Sequence, residues 1–131
     1  MRTLSIVIPV YNECQSIRQV LQAVGAADTE PFAKEVIIVD DGSSDGTREI
    51  LRSLEGDSRY RIAYHDRNHG KGAALKTGFG LATGEYVLIQ DADLEYDPSD
   101  YIRLLEQLAA ARAEIVFGSR NLRYNNVPIS A

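Results

Sequence analysis

Residues 4–9 read LSIVIP, and this short apolar run decides the fold class. It is rich in β-branched residues and continuously apolar apart from one serine, which is typical of a strand covered on both faces. Similar runs alternate along the chain with segments whose apolar residues recur at helical spacing. Strands are therefore predicted at 4–9, 36–39, 61–64, 85–90 and 115–117, and helices at 17–24, 50–54, 72–82 and 97–108. This alternation predicts an α/β fold with a mostly parallel sheet and helices on both faces.

The composition indicates a single globular domain. The chain has 131 residues and a net charge of −5, and that acidic balance argues against nucleic acid as a partner, since nucleic-acid-binding faces are basic. The single Cys14 excludes an internal disulfide framework and fits a reducing, cytoplasmic compartment. Every apolar run is far shorter than the roughly 18 residues of a transmembrane helix. We expect the domain to span 1–122 and a polar, disordered tail to follow at 123–131.

Polar clusters follow four of the predicted strands, at the point where each strand ends. They are residues 11–13 (YNE), 40–42 (DDG), 91–93 (DAD) and 118–120 (GSR). The carboxyl ends of parallel strands share one edge of a sheet, and ligands of such folds bind beyond that edge. The four clusters are therefore predicted to converge on one site.

The tract 90–95, QDADLE, is the strongest metal-site candidate in the chain. Asp91, Asp93 and Glu95 alternate, so in extended backbone their three carboxylates point to the same side. Hard oxygen ligands suit Mg²⁺ or Mn²⁺, and Mg²⁺ commonly takes one or two carboxylates together with substrate phosphates. The competing interpretation is a solvated acidic turn before the next helix, where Asp97 is the expected N-cap. The position at the end of a buried strand favours the metal site.

The tract 40–47, DDGSSDGT, supports three interpretations. Ser, Asp and Gly favour turns and helix caps, and Asp45 or Thr47 is expected to cap the next helix. Asp40 and Asp41 are not needed for that cap and could bond a base or a ribose. A calcium loop also fits the first half of the tract, but Arg52 stands at its twelfth position, where a bidentate Glu is required.

Residues 70–72, GKG, precede the predicted glycine-rich helix without forming a known phosphate loop. The Walker pattern is absent, and Leu75 stands where the dinucleotide fingerprint needs its third glycine. Backbone amides and Lys71 near anionic phosphates at a helix N-terminus remain one interpretation, and an ordinary surface loop the other. Arg120 could likewise bind phosphate with its guanidinium fork. His65 and His69 are expected to be structural or superficial, and their spacing is not that of a zinc site.

Five tracts together resemble family 2 glycosyltransferases, in particular polyprenyl-phosphate (dolichyl-phosphate) mannosyl- and glucosyltransferases. The tracts occur in the family's order, and they are 5–13 (SIVIPVYNE), 39–47 (VDDGSSDGT), 70–74 (GKGAA), 90–95 (QDADLE) and 118–120 (GSR). The resemblance implies a Rossmann-like glycosyltransferase A-type fold that binds a nucleotide-diphosphate sugar. It also implies that catalytic domains of this kind continue past the final GSR tract, so this chain looks like the donor-binding part.

The resemblance assigns roles to individual positions. It implies a base and ribose pocket lined by Pro9, Tyr11, Glu13 and Asp40. It implies that Asp91 contacts both nucleotide and metal, that Asp93 is the central metal ligand, and that Glu95 is a further one. Asp91 and Asp93 are thus the catalytic candidates, and the phosphate-binding roles of Lys71 and Arg120 are weaker parallels.

The implied activity is a metal-dependent, inverting transfer of a hexose from a GDP- or UDP-linked donor to a polyprenyl phosphate, with Mg²⁺ or Mn²⁺ as cofactor. A longer form of such a protein is expected at the cytoplasmic face of a membrane. Two other classes stay open. One is a non-catalytic nucleotide-binding module or inactive fragment, and the other is a sugar nucleotidyltransferase. Nucleotidyltransferases usually carry a glycine-rich loop with Arg and Lys after the first strand, where this chain has residues 11–13 (YNE).

Overall fold

The computed structural model describes residues 2–92 and 115–118 and contains a five-stranded sheet. Its strands are β1 (Arg2–Val10), β2 (Phe32–Asp40), β3 (Tyr60–Tyr64), β4 (Tyr86–Gln90) and β5 (Ile115–Gly118). Its helices are α1 (Ile17–Ala26), α2 (Thr47–Arg52) and α3 (Lys71–Leu81). The strand order is β3-β2-β1-β4-β5, and every neighbouring pair is parallel. The predicted α/β class and parallel sheet are confirmed, whereas the helix predicted at 97–108 and the tail at 123–131 lie outside the described residues.

The central strands are continuously apolar because each of their faces packs against helices. Ile6 and Ile8 of β1 and Ile38 of β2 lie in one core with α1 and α2. Val7 and Ile37, which alternate with them, lie in a second core with α3. Burying each such aliphatic side chain stabilises the fold by about 1.5–3 kcal/mol. The prediction of helices on both faces is confirmed.

Helix α3 packs unusually close to β1, and Gly78 permits this. A Cβ atom built on Gly78 would lie 2.4 Å from Cγ1 of Val7. A glycine inside a helix costs about 0.5–1 kcal/mol relative to alanine. The close packing of α3 against the sheet offsets that cost, so this glycine has a structural reason inside the predicted helix.

Helix α1 follows the predicted apolar spacing and ends against a lysine from the next strand. Ile17, Val20 and Val24 are fully buried on one side of it. The Lys34 ammonium donates to the carbonyl oxygens of Val24 (2.9 Å) and Gly25 (2.7 Å). Carbonyl groups in the last turn of a helix lack intrahelical partners, and a cation there also complements the helix dipole. Lys34 therefore stabilises the end of α1.

Helix α2 begins earlier and ends sooner than its apolar spacing predicted, because the acidic turn before it determines its start. Gly46, with φ of 106°, occupies the N-cap position, rather than Asp45 or Thr47. Asp45 nevertheless accepts hydrogen bonds from the backbone N–H (3.0 Å) and hydroxyl (2.5 Å) of Thr47. Burial opposes ionisation of Asp45, but these bonds and one from Cys14 outweigh it and lower its pKa to about 2.

Candidate functional site

The candidate site lies at the carboxyl edge of the sheet, where β1 and β4 are neighbours. The chain continues from β1 to β2 on one side, while β4 lies on the other, so the connections diverge between β1 and β4. Parallel sheets bind ligands at such divergence points. The polar clusters after β1, β2 and β4 lie at this shared edge, as predicted. The fourth cluster is described only at Gly118, the last residue of β5.

The loop after β1 is hydrogen bonded to the loop after β2. The backbone N–H of Asn12 donates to Oγ of Ser43 (2.8 Å), and the N–H of Ser44 donates to Oδ1 of Asn12 (2.8 Å). The N–H of Glu13 donates to Oγ1 of Thr47 (3.0 Å). Asn12 has φ of 54°, a left-handed conformation that asparagine tolerates better than most residues. The two loops therefore form one bonded unit.

Tyr11 presents an aromatic ring at this edge, directly after β1. The residue is 46% exposed, and among the described residues it is the large hydrophobic one that lies open to solvent. Pro9, near the end of β1, is half-buried. An exposed ring beside a polar edge is suited to stacking on a planar ligand such as a nucleobase.

Ser16 links the loop after β1 to the loop after β4. Its hydroxyl lies 2.6 Å from the carbonyl oxygen of Ala92 and 3.1 Å from Oε2 of Glu13. The structure thus brings Glu13 and the residue after Asp91 to the same place, as the predicted convergence requires. Sequence reasoning missed Ser16, which carries no motif signal besides its position after the YNE tract.

Asp40 forms a buried ion pair. Its carboxylate is fully buried, accepts a 2.8 Å bond from Nε of Arg48, and accepts another from the N–H of Ser43 (3.2 Å). The same guanidinium donates to the carbonyl oxygen of His65 and lies 5.2 Å from the ring centroid of Tyr64. The predicted contact of Asp40 with a base stays a prediction. Sequence reasoning missed Arg48, although a buried aspartate at a strand end needs a nearby cation.

Asp41 is nearly as buried, at 3% exposed. Its carboxylate is bonded to the His65 ring and to the backbone N–H groups of His69 and Gly70. Burial opposes ionisation of this carboxyl, but those bonds outweigh it and lower the pKa of Asp41. Its predicted direct bond to a base or ribose stays a prediction. Both ring nitrogens of His65 are hydrogen bonded within the protein, which fits the structural role expected for this histidine.

Lys71 and Asp91, two of the predicted site residues, form an ion pair. Nζ of Lys71 lies 2.8 Å from Oδ1 of Asp91, and their side chains are 55% and 15% exposed. Lys71 is the first residue of α3, and Asp91 directly follows β4. The N-terminus of α3 therefore faces the end of β4 across the edge of the sheet, with one cation and one carboxylate already in contact.

A cavity of about 550 Å³ lies elsewhere, near the start of β3. Its lining includes Arg18, Leu21, Lys34, Val36 and Tyr60. These residues come from α1 and from the strands upstream of their carboxyl ends. The cavity is therefore separate from the polar edge described above.

A model of the family described as glycosyl transferase family 2 matches residues 5–129. The chain belongs to glycosyl transferase family 2. The resemblance in the motif tracts is thereby confirmed, and so is the glycosyltransferase A-type fold, which the solved structures below share.

Curated relatives of this family 2 chain are named undecaprenyl-phosphate 4-deoxy-4-formamido-L-arabinose transferases. The protein from Pseudomonas fluorescens is 38% identical over 126 residues, which cover 94% of this chain and 37% of the relative. The protein from Aeromonas hydrophila is 41% identical over 110 residues, which cover 81% of this chain and 33% of the relative. The chain thus spans about a third of the length of these relatives.

Two solved structures share the fold. A mannosyltransferase from Pyrobaculum calidifontis, solved with GDP-Man and Mn²⁺, has a TM-score of 0.72 and 31% identity, covering 83% of this chain and 33% of its own. S. aureus TarS 1-349, solved with UDP-GlcNAc, has a TM-score of 0.70 at 23% identity, covering 85% of this chain and 32% of its own. The likeness to TarS supports the fold alone.

Of the three metal ligands predicted for this family 2 domain, only Asp91 lies within the described residues. Asp93, Glu95 and Arg120 lie outside the described residues. Within residues 2–92 and 115–118, no group of three histidine, cysteine, aspartate or glutamate side chains is placed to hold an ion. Asp91 is a hard oxygen donor at the predicted edge, so it fits Mg²⁺ or Mn²⁺ as one member of a set.

The described helices of the domain, α1 to α3, include none that is long and apolar enough to cross a membrane.

Proposed function

We propose that the edge between β1 and β4 binds the nucleoside diphosphate of a sugar donor, and that the protein transfers the sugar, with inversion, to a polyprenyl phosphate. The observation that carries this proposal is the ion pair of Lys71 with Asp91, at the same sheet edge as the exposed ring of Tyr11. This edge offers a surface for a base, a cation for phosphate and a carboxylate for a metal. Family membership supplies the class of reaction.

The donor pocket follows from these positions. Tyr11 stacks on the base, and Pro9 and Glu13 line the base and ribose. Asp40, buried at the end of β2, faces the base by family resemblance, and Asp41 follows it, buried beside the same pocket. Arg120 is a further phosphate ligand by family resemblance.

The mechanism needs charge stabilisation more than proton transfer. Asp91, Asp93 and Glu95 would hold a Mg²⁺ or Mn²⁺, which when bound would supply positive charge for the departing nucleoside diphosphate. Lys71 adds a second cation at that diphosphate. A polyprenyl phosphate is already anionic at neutral pH, so its oxygen attacks the anomeric carbon without needing a strong general base.

The named relatives support a polyprenyl-phosphate acceptor, since those from Pseudomonas fluorescens and Aeromonas hydrophila are undecaprenyl-phosphate transferases. The mannosyltransferase solved with GDP-Man and Mn²⁺ supports a hexose donor and a divalent metal. The names of the first two relatives favour a second candidate donor, one that carries 4-deoxy-4-formamido-L-arabinose, a pentose.

A titration calorimetry experiment tests the donor site. GDP and UDP are titrated into the chain with and without Mn²⁺, and Asp93→Ala is compared with Asp66→Ala, whose carboxylate is 82% exposed and pairs locally with His69. We expect Mn²⁺-dependent binding of one of the two nucleotides, loss of that binding in Asp93→Ala, and wild-type affinity in Asp66→Ala. Equal affinities of Asp93→Ala and wild type would refute the metal assignment.

The donor sugar and acceptor are tested with the protein added to membrane vesicles. Radiolabelled GDP-mannose, UDP-glucose and UDP-4-deoxy-4-formamido-L-arabinose are each offered with undecaprenyl phosphate. Label transferred to lipid from one donor identifies the sugar. Binding without any transfer would instead favour a nucleotide-binding module.

A further inference from the structure

We propose that Asp41 and His65 are positioning residues, which fix the start of α3 and thereby hold Lys71 at the diphosphate site. This inference rests on the proposed function and assigns binding of the phosphates and binding of the base to different residues. Asp41 acts on the donor through Lys71, and the base is recognised elsewhere, at Tyr11.

The carboxylate of Asp41 is bonded to the segment that leads into α3. Oδ1 lies 2.7 Å from Nδ1 of His65 and accepts a 3.0 Å bond from the N–H of His69. Oδ2 accepts a 2.8 Å bond from the N–H of Gly70. Gly70 is the N-cap of α3, with φ of 97°, and Lys71 is the next residue. This buried carboxylate, together with Oδ1 of Asn68, which also accepts from the N–H of Gly70 (2.9 Å), thus holds the backbone immediately before Lys71.

His65 extends this anchor into α3 itself. A carboxylate can only accept, so Nδ1 of His65 carries the proton toward Asp41. Nε2 lies 2.8 Å from Oγ1 of Thr77, within α3. The N–H of His65 donates to the carbonyl oxygen of Asp40 (2.8 Å), which continues the β2–β3 pairing. His65 therefore joins the sheet, Asp41 and α3 in one network.

Gly42 gives independent support, because it lets the segment before α3 pack closely against the loop after β2. It has φ of 81°, and a Cβ atom there would lie 2.3 Å from the backbone carbon of Arg67 and 2.5 Å from the backbone nitrogen of Asn68. The segment before α3 is thus packed directly on the backbone after Asp41, where any side chain would displace it. Packing and hydrogen bonding agree on the same placement.

Lys71 depends on this placement because its own side chain is more than half exposed. Its charge pairs with Asp91, which directly follows β4, whereas Asp41 directly follows β2. Moving the N-terminus of α3 would change the distance between that ammonium and the diphosphate. The expected signature is loss of affinity for the phosphate part of the donor and not for its nucleoside part.

The test compares guanosine and uridine with GDP and UDP, in Mn²⁺, by titration calorimetry on the chain. Asp41→Asn keeps the shape but loses an acceptor and the charge. Because the Lys71 ammonium is then no longer held at the diphosphate, we expect diphosphate affinity to fall by roughly tenfold or more. Nucleoside affinity should stay unchanged. Asp66→Asn, in the same segment but facing solvent, should leave both affinities unchanged.

A double-mutant cycle with Lys71→Gln separates positioning from direct contact. If Asp41 acts through Lys71, Asp41→Asn adds little further loss in the Lys71→Gln background. Additive losses, or an equal loss of nucleoside affinity, would overturn the inference and make Asp41 a direct ligand. His65→Asn, which keeps a donor near the Nδ1 position, should retain more diphosphate affinity than His65→Ala.

Hydrogen exchange provides a readout that needs no ligand. Asp41→Asn should speed exchange of the amides of His69, Gly70 and Lys71, while α1 stays protected. Unchanged exchange in that segment would reject the positioning role. A wild-type chain that binds neither GDP nor UDP would instead refute the proposed function, so the two failures are distinguishable.

Discussion

The buried ion pair of Asp40 with Arg48 predicts a large and specific loss of stability in Arg48→Ala. The Asp40 carboxylate is fully buried and the Arg48 side chain is 21% exposed, so removing the cation leaves an uncompensated charge inside the protein. Breaking such a pair typically costs about 3–5 kcal/mol. For a domain whose total stability is of the order of 5–15 kcal/mol, that is a substantial fraction.

Urea unfolding followed by circular dichroism measures this loss, and Arg52→Ala is the matched control. Arg52 lies on the same helix and 5.9 Å from the Tyr64 ring centroid, but its cation–π contact is an exposed one. Such contacts contribute about 0.5–1 kcal/mol. Equal unfolding free energies for the two variants would refute the reasoning.

Three further predictions concern packing, acid stability and binding. Gly78→Ala should destabilise by about 1–3 kcal/mol through overpacking against β1, whereas Gly80→Ala, with open space around it, should stabilise, and thermal unfolding distinguishes them. Burial opposes ionisation of Glu35, but hydrogen bonds from Thr83 and from β1 outweigh it and lower its pKa. The stability from Glu35 is thus complete above its unfolded pKa of about 4.3 and is lost as pH falls through the lower folded value, so Glu35→Gln should lose less stability than wild type between pH 7 and pH 3.5 in urea titrations. Tyr11→Ala should weaken nucleoside binding by about 1–3 kcal/mol in calorimetry, and an unchanged affinity would argue against stacking.

The main elements of the fold follow from the sequence because hydrophobic periodicity is a local property. The continuous apolar run at 4–9 predicted a strand buried on both faces, and β1 is that strand. The sequence predicted the ends of an element less well where a single turn determines them. The start of α2 depends on the left-handed Gly46, and apolar spacing carries no signal for backbone φ.

The convergence of the site was predictable from topology, but the partners of its residues were not. Strand ends placed the tracts after β1, β2 and β4 at one edge, and the Lys71–Asp91 pair lies there. Arg48 and His65 could not be assigned to Asp40 and Asp41, because side-chain pairing depends on the relative placement of loops distant in sequence. The same holds for Gly42, whose need for glycine arises from contact with the backbone of another loop.

The most direct test of the donor-site proposal is a crystal structure of the chain with Mn²⁺ and GDP or UDP. We predict an anomalous manganese peak beside Asp91, with the diphosphate within reach of Lys71 and the base against Tyr11. A nucleotide bound instead in the cavity near Arg18 and Lys34, or manganese bound away from Asp91, would contradict the account.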